Sequence, residues 1–275
     1  MTSDVPGIPL DGGTTIPQLG FGVFKVDPAE AVEAVATALR VGYRHIDTAA
    51  IYGNEAEVGA AIRESGLSRD EVFVTTKVWN DRQGYDTTLA ACDESLSKLR
   101  LDHVDLYLIH WPAPALDRYV ETWRALVDLQ RDGRATSIGV SNFRIPDLER
   151  LLSESDVVPA LNQIELHPTF AQPELREFHA RHGIVTEAWA PLSRGAVLDH
   201  PIVTGLASRY GATPAQVVLR WHLQLGNVVI PKSVTPSRIA ENFDVWGFTL
   251  DDEAMAAIDS LDTGVRTGGD PDQVN

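Results

Sequence analysis

Short apolar runs and helix-period patterns alternate along this chain at a steady spacing. Eight runs of strand length lie at residues 20–24, 43–48, 72–78, 104–110, 135–141, 160–166, 184–190 and 227–232. Most are continuous rather than alternating, the pattern of parallel strands buried on both faces. Between them the apolar positions take a 3.6 period: Val32, Val35, Ala36 and Leu39 form one helical face, Leu89, Cys92, Leu96 and Leu99 another. Thr213-Pro214 followed by Gln216 combines an N-cap, an N1 proline and a capping-box partner, and predicts a helix running to Leu225. Thr235-Pro236 predicts the next helix, opened by the same device. Ahead of the first strand, residues 8–10 and 15–16 flank Asp11-Gly12-Gly13, which predicts a β-hairpin turn. Residues 251–261 read as one more helix, and 263–275 as a tail rich in glycine and polar residues.

Eight βα units in about 250 residues predict an α/β fold, a (β/α)8 TIM barrel with an N-terminal β-hairpin plug. Residues 1–275 are then one barrel domain. A doubly wound sheet would carry Gly-x-Gly-x-x-Gly between its first strand and helix, whereas Gly20-Phe21-Gly22 lies inside a strand and lacks the third glycine.

Charge narrows the partners. The chain of 275 residues holds 23 Lys and Arg against 39 Asp and Glu, a formal net charge of −16. Such a surface repels phosphate backbones and anionic lipid, so neither nucleic acid nor a membrane is expected as a partner. The single cysteine, Cys92, excludes a disulfide framework and a cysteine-built zinc cage. With neither a signal-peptide pattern nor an apolar span in the sequence, a cytoplasmic protein is expected. No apolar helix lacks a place against the barrel, so a monomer is expected. In a chain this acidic, any basic cluster is out of character.

Polar residues at the C-terminal ends of barrel strands build active sites. Here those positions hold Asp47, Lys77, His110, Ser141-Asn142, Gln163-Glu165, Trp189 and Lys232-Ser233. Lys77 falls in a buried parallel strand and needs a counter-charge, which Asp47 on the neighbouring strand end can supply. Tyr52 follows the second strand closely. Reduction of a carbonyl needs a proton donor beside the oxygen as hydride reaches the carbon. An unperturbed tyrosine, with a pKa of about 10, is a weak acid that a nearby cation can tune. Lys77 would be that cation, Asp47 would hold it, and His110 would orient or polarise the carbonyl.

Residues 42–55, Gly-Tyr-Arg-His-Ile-Asp-Thr-Ala-Ala-Ile-Tyr-Gly-Asn-Glu, closely resemble the first signature of the aldo-keto reductases. Residues 101–112, 138–143, 162–168 and 230–242 resemble further blocks of that family in the same order, so the likeness spans essentially the whole chain. It is nearest to the bacterial 2,5-diketo-D-gluconate reductases. The resemblance implies a catalytic tetrad of Asp47, Tyr52, Lys77 and His110, with Tyr52 as general acid. It also implies a nicotinamide cofactor extended across the barrel mouth without a Rossmann domain.

Ser141, Asn142 and Gln163 carry groups suited to a carboxamide, and Trp189 can stack on a nicotinamide ring. Lys232, Ser233 and Arg238, gathered at a helix start, make an anion site. By the resemblance this is where the adenosine 2′-phosphate sits, with Asn242 near the adenine and Leu192 and Val234 along the cofactor. NADPH is therefore expected rather than NADH. Phe24, Trp79 and Trp111 are expected to wall an apolar substrate pocket. The loops at 112–118 and 192–201 are short, implying a wide pocket for small aldehydes, ketones and dicarbonyls. No metal is expected. Two other readings stand beside this one: a non-catalytic nucleotide-binding barrel acting as a regulatory subunit, and a metal-dependent barrel hydrolase using His45, Asp47, Lys77 and His110 as ligands. His167-Pro168 and Trp221-His222 are expected to have structural roles.

Overall fold

The computed structural model describes residues 5–10 and 13–275. Two short strands, β1 (Gly7–Pro9) and β2 (Thr15–Pro17), pair antiparallel, with Ile8 opposite Ile16. Asp11 and Gly12 of the expected turn lie outside the described residues. Leu10 and Ile16 are buried against Leu106, Leu108, Leu161 and Val228, which point into the base of the barrel, so the hairpin plugs it as the pattern implied.

Eight parallel strands follow: β3 (Phe21–Gly22), β4 (His45–Asp47), β5 (Phe73–Val78), β6 (Val104–Ile109), β7 (Ala135–Ser141), β8 (Leu161–Glu165), β9 (Val185–Trp189) and β10 (Val228–Val229). They pair in sequence order. The ring closes through a parallel bridge between Leu19 and Val229, with Gly20 N donating to Val229 O at 2.9 Å and Gly22 N to Pro231 O at 3.2 Å. These two closing strands are shorter than the apolar runs 20–24 and 227–232. Pro231 has no N–H to give, so regular pairing stops there and irregular backbone carries the closure.

The helices are α1 (Pro28–Val41), α2 (Glu55–Glu64), α3 (Tyr85–Leu99), α4 (Tyr119–Arg131), α5 (Ile145–Glu154), α6 (Pro173–His182), α7 (Pro201–Tyr210), α8 (Pro214–Gln224), α9 (Pro236–Phe243) and α10 (Asp252–Asp259). Their apolar faces pack on the outside of the strands, with Val35, Leu39, Cys92, Leu99, Trp123 and Trp221 in the main core. Burial pushes the Cys92 thiol up to about 12, as suits a small core hydrophobe. The capping box at α8 forms in both directions, Thr213 with Gln216. The device expected at α9 does not: Thr235 makes no side-chain cap bond, and its own N–H donates to Ser233 Oγ at 3.1 Å. Between β9 and α8 the sequence reading missed α7, which Pro201 opens and Gly211, at φ 63°, ends.

The tail is fastened down. Thr267 N, Thr267 Oγ1 and Gly268 N all donate to Glu165 Oε1, at 2.6, 2.7 and 3.0 Å. Arg144 pairs with Asp272, and Asn275 Oδ1 accepts from Ala115 N at 2.7 Å. Gly268 lies so close to Trp189 that an added Cβ would come within 2.2 Å of the indole edge. Only glycine permits that approach. Among the described residues, no helix is long and apolar enough to cross a membrane.

Candidate active site

Strands β4 and β5 run side by side with Asp47 paired to Thr75, which brings Lys77 over the end of β4. The Lys77 ammonium is fully buried and donates to both Asp47 oxygens and to Thr48 O, each at 2.8 Å. Burial pulls its pKa down, but Asp47 and Tyr52 outweigh that and hold it above the ordinary lysine value. The pair is thus charged. Removing either partner would strand the other charge in the barrel, at a cost of about 3–5 kcal/mol.

After β4 the chain makes a single 3-10 turn, Ala50–Tyr52, stopped by Gly53 at φ 69°. Asn54 pins this turn by donating to Val23 O and Val26 O while accepting from Thr48 Oγ1. The Tyr52 ring then lies with the Lys77 ammonium 5.2 Å from its centroid and His110 at 5.7 Å. Burial raises the Tyr52 hydroxyl to about 12, and Lys77 offsets only part of this. The cation that was expected to tune the tyrosine is therefore outweighed by burial, and Tyr52 keeps its proton at neutral pH. His110 is held well below its ordinary value, by burial first and by Lys77 second, so it is a neutral imidazole.

Aromatic rings box in His110. Trp79 meets it edge-on at 5.1 Å, Trp111 stacks at 6.4 Å, and Phe24 packs on Tyr52 at 5.0 Å while remaining half exposed. One cavity of about 880 Å³ opens over these groups. Its lining includes Phe24, Asp47, Tyr52, Trp79, His110 and Trp111, then Ser141, Asn142, Gln163, Trp189 and Leu192, and at its far end Lys232, Ser233, Arg238 and Asn242. Of the residues singled out in the sequence, Lys77 lies beneath the surface behind Asp47, and Val234 is not in the lining. Gly269 and Val274 of the tail complete the wall. The pocket expected to be wide is partly roofed.

The polar groups in the middle of the cavity are already engaged. Asn142, at φ 65°, folds back under His110 and donates to its carbonyl at 3.0 Å. Its Oδ1 accepts from Trp189 Nε1 at 2.8 Å. Ser141 Oγ donates to Gln163 O at 2.8 Å. At the far end, Lys232 and Arg238 are exposed and, among the described residues, neither forms an ion pair. No acidic residue occupies the first turn of α9. Two unpaired cations at a helix start suit an anion.

Sequence reasoning missed the carboxyl of Glu187, and it read Glu165 only as a polar strand end, without its role. Glu165 ends β8 and grips the tail; burial pushes its carboxyl up, but hydrogen bonds from His167 and Thr267 prevail and hold it below the usual range. His167 accordingly has the structural role expected of it. Glu187 lies inside the barrel below Asp47, and burial and Asp47 raise it to about 8. A signal existed for Glu187, an acid inside an apolar strand, the same signal that exposed Lys77.

These buried groups set the stability of the fold against pH. Burial holds His45, His179 and His222 at about 3, and His110 is also depressed. Each takes up a proton below pH 6.5 only when the chain unfolds, so the stability it contributes is lost as pH falls. Glu187 acts oppositely, since the folded chain keeps a proton there that the unfolded chain sheds above its ordinary 4.5. The four histidines prevail, with a slope of about 1.4 kcal/mol per pH unit for each net proton. Calorimetry is expected to find Tm about 5–10 °C lower at pH 5 than at pH 7.5. An equal or higher Tm at pH 5 would contradict this account.

Residues 17–263 match the aldo/keto reductase family. An aldo-keto reductase of Mycolicibacterium smegmatis is 54% identical over 270 residues, 98% of each chain. The methylglyoxal reductase DkgA of Escherichia coli strain K12 is 52% identical over 268 residues, 97% of each. The crystal structure of a Gox0644 mutant in complex with NADPH superposes with a TM-score of 0.95 at 50% identity, covering 99% of this chain and all of that one.

Proposed function

The chain belongs to the aldo/keto reductase family, and from that premise we propose that it reduces small 2-oxoaldehydes of the methylglyoxal kind with NADPH, Tyr52 giving the proton. NADPH-dependent carbonyl reduction follows from the family, the methylglyoxal reductase relative and the NADPH-bound neighbour. The buried Lys77–Asp47 pair set beside a protonated Tyr52 and a neutral His110 in one aromatic-walled cavity carries the proton-donor role, and the methylglyoxal reductase relative supports the substrate class.

The residues present fit the cofactor. The cavity runs from the tetrad to two unpaired cations, a length of polar and apolar lining suited to an elongated dinucleotide. Trp189 and Asn142 would hold the nicotinamide end with Gln163; Lys232, Ser233 and Arg238 would hold the 2′-phosphate, with Asn242 at the adenine. When bound, the nicotinamide supplies hydride to the carbonyl carbon.

The chain's own part concerns the carbonyl oxygen. His110, neutral because burial and Lys77 disfavour a second proton, can hydrogen-bond that oxygen without first losing a proton. Tyr52 keeps its proton through neutral pH and releases it only as negative charge grows on the oxygen. The Lys77 ammonium, 5.2 Å from the ring, stabilises the tyrosinate so formed, and Asp47 keeps that ammonium in place. Trp79 and Trp111, packed against His110, give the substrate an apolar wall beside the reacting oxygen.

The direct test follows the absorbance of NADPH with purified protein and methylglyoxal. Consumption of NADPH, with NADH a much poorer donor, is expected. Absence of turnover with methylglyoxal but not with other aldehydes would remove the substrate assignment. Absence with every carbonyl would return the chain to the regulatory-subunit reading.

A further inference from the structure

Below the tetrad the barrel interior holds a second layer of polar groups that the reaction does not use directly. Glu187 on β9 is fully buried and lies in register with Gln163 on β8. The Gln163 amide nitrogen donates in two directions, to Asp47 Oδ2 at 2.7 Å and to Glu187 Oε2 at 2.8 Å. An amide nitrogen has two hydrogens, and here both are claimed by carboxyl oxygens, so the amide cannot flip without facing its carbonyl against acceptors on both sides. Gln163 lines the cavity, and its Oε1 is neither hydrogen-bonded nor among the buried unpartnered atoms, which leaves that oxygen open to the cavity.

We infer that Glu187 is a positioning residue: with Asp47 it locks the Gln163 amide so that its carbonyl oxygen faces the cavity and accepts from the carboxamide N–H of the nicotinamide. This rests on the reading of Gln163 as a cofactor ligand. Asp47 alone would leave one amide hydrogen free and the side chain able to turn. Glu187 removes that freedom, and it does so from within the rigid wall of the barrel, opposite Val228 of β10.

The same carboxyl acts on the tetrad through charge. The titratable groups that face it are His45 and Asp47 from β4, Lys77 from β5 and Tyr52 from the turn after β4; Gln163 and Val228 bring no charge. Its Oε1 has no hydrogen-bond partner and lies 3.7 Å from His45 Nε2, so the charged form is poorly solvated there. Burial and Asp47 raise Glu187 to about 8. Above that pH it becomes an anion and holds the Tyr52 proton more tightly, which weakens the acid.

The experiment compares NADPH affinity, by fluorescence titration, and the single-turnover rate of carbonyl reduction against pH. The proteins are wild type, E187A, E187Q, Q163L and Q163L/E187A. E187A is expected to weaken NADPH about tenfold, and E187Q, which still offers an acceptor to Gln163, by no more than about twofold. In the Q163L background E187A is expected to cost nothing further. The wild-type rate is expected to fall above pH 8 and that of E187Q to hold. A loss on E187A that persists undiminished in Q163L, or a wild-type pH profile kept intact in E187Q, overturns the inference while leaving Gln163 a ligand. Unchanged affinity in Q163L overturns the ligand reading itself. Should E187A fail to fold, E187M, which fills the space but offers Gln163 no acceptor, is expected to show the same tenfold loss of NADPH affinity, and an unchanged affinity overturns the inference.

Discussion

Y52F is expected to lower the rate of methylglyoxal reduction about a thousandfold, with NADPH affinity kept within about twofold. The change removes one oxygen and keeps the ring, so packing against Phe24 and His110 survives. Lys77 keeps its three close partners, the two Asp47 oxygens and Thr48 O, and loses only its interaction with the Tyr52 hydroxyl. The variant therefore tests proton donation with little structural damage, which a lysine or aspartate variant cannot do. The Lys77 protons are taken by Asp47 and Thr48 O, which leaves His110 as the other group of the tetrad to weigh as donor, and it is a neutral imidazole held well below its ordinary value. As a substitute acid it would have to give up its one ring proton to become an imidazolate, a far weaker donor than a phenol. Single-turnover oxidation of NADPH measures the loss directly. Near-normal turnover in Y52F would assign the proton to His110 or to water and remove Tyr52 from the chemistry. The activity that remains in Y52F should come from hydrogen bonding and orientation alone, and H110A on the Y52F background should abolish it.

Lys77 shows why so much of this site was legible from residue order. A lysine in an apolar strand of a parallel sheet must have a buried partner, and the neighbouring strand end offered Asp47; the ion pair is there at 2.8 Å. The barrel was legible for a similar reason, since strands covered on both faces read as unbroken apolar runs. Glu187 obeyed the same rule as Lys77, yet Trp189 two residues on drew attention to the strand's end instead of its middle. The tail was harder. Residues 264–275 have the composition of a solvated segment, and what holds them is Glu165, about a hundred positions earlier in the chain, through two backbone N–H groups and the Thr267 hydroxyl, with Arg144–Asp272 and Ala115–Asn275 contacts beyond it. Single contacts between residues so far apart leave no periodic pattern. Only Gly268, forced by its approach to Trp189, leaves a trace, and one glycine beside another is not a readable signal. The short closing strands were overestimated because apolarity reports burial, whereas regular pairing also needs a donor that Pro231 lacks.

R238A is expected to weaken NADPH about ten- to hundredfold and NADH by less than about twofold. The expectation follows from what Arg238 lacks. It lies in the first turn of α9, where a cation opposes the helix dipole, no acid offsets it, and none of the ion pairs among the described residues includes it. Its charge is thus uncompensated in a chain of net charge −16, a field that disfavours an anionic ligand everywhere else. A phosphate there would be matched by Arg238, by Lys232 and by the N–H groups of the helix start. NADH lacks that phosphate and should not register the change. K232A should show the same preference, and R238A/K232A together should bring the two cofactors to similar affinity. Ionic strength gives an independent check. Because the cations are exposed, salt should weaken NADPH more than NADH in the wild type and equally in the double variant. Equal losses of both cofactors on R238A would place the cation on the pyrophosphate shared by both. No loss of either would mean that the anion binds elsewhere in the cavity, with Arg194 in its wall the next residue to replace.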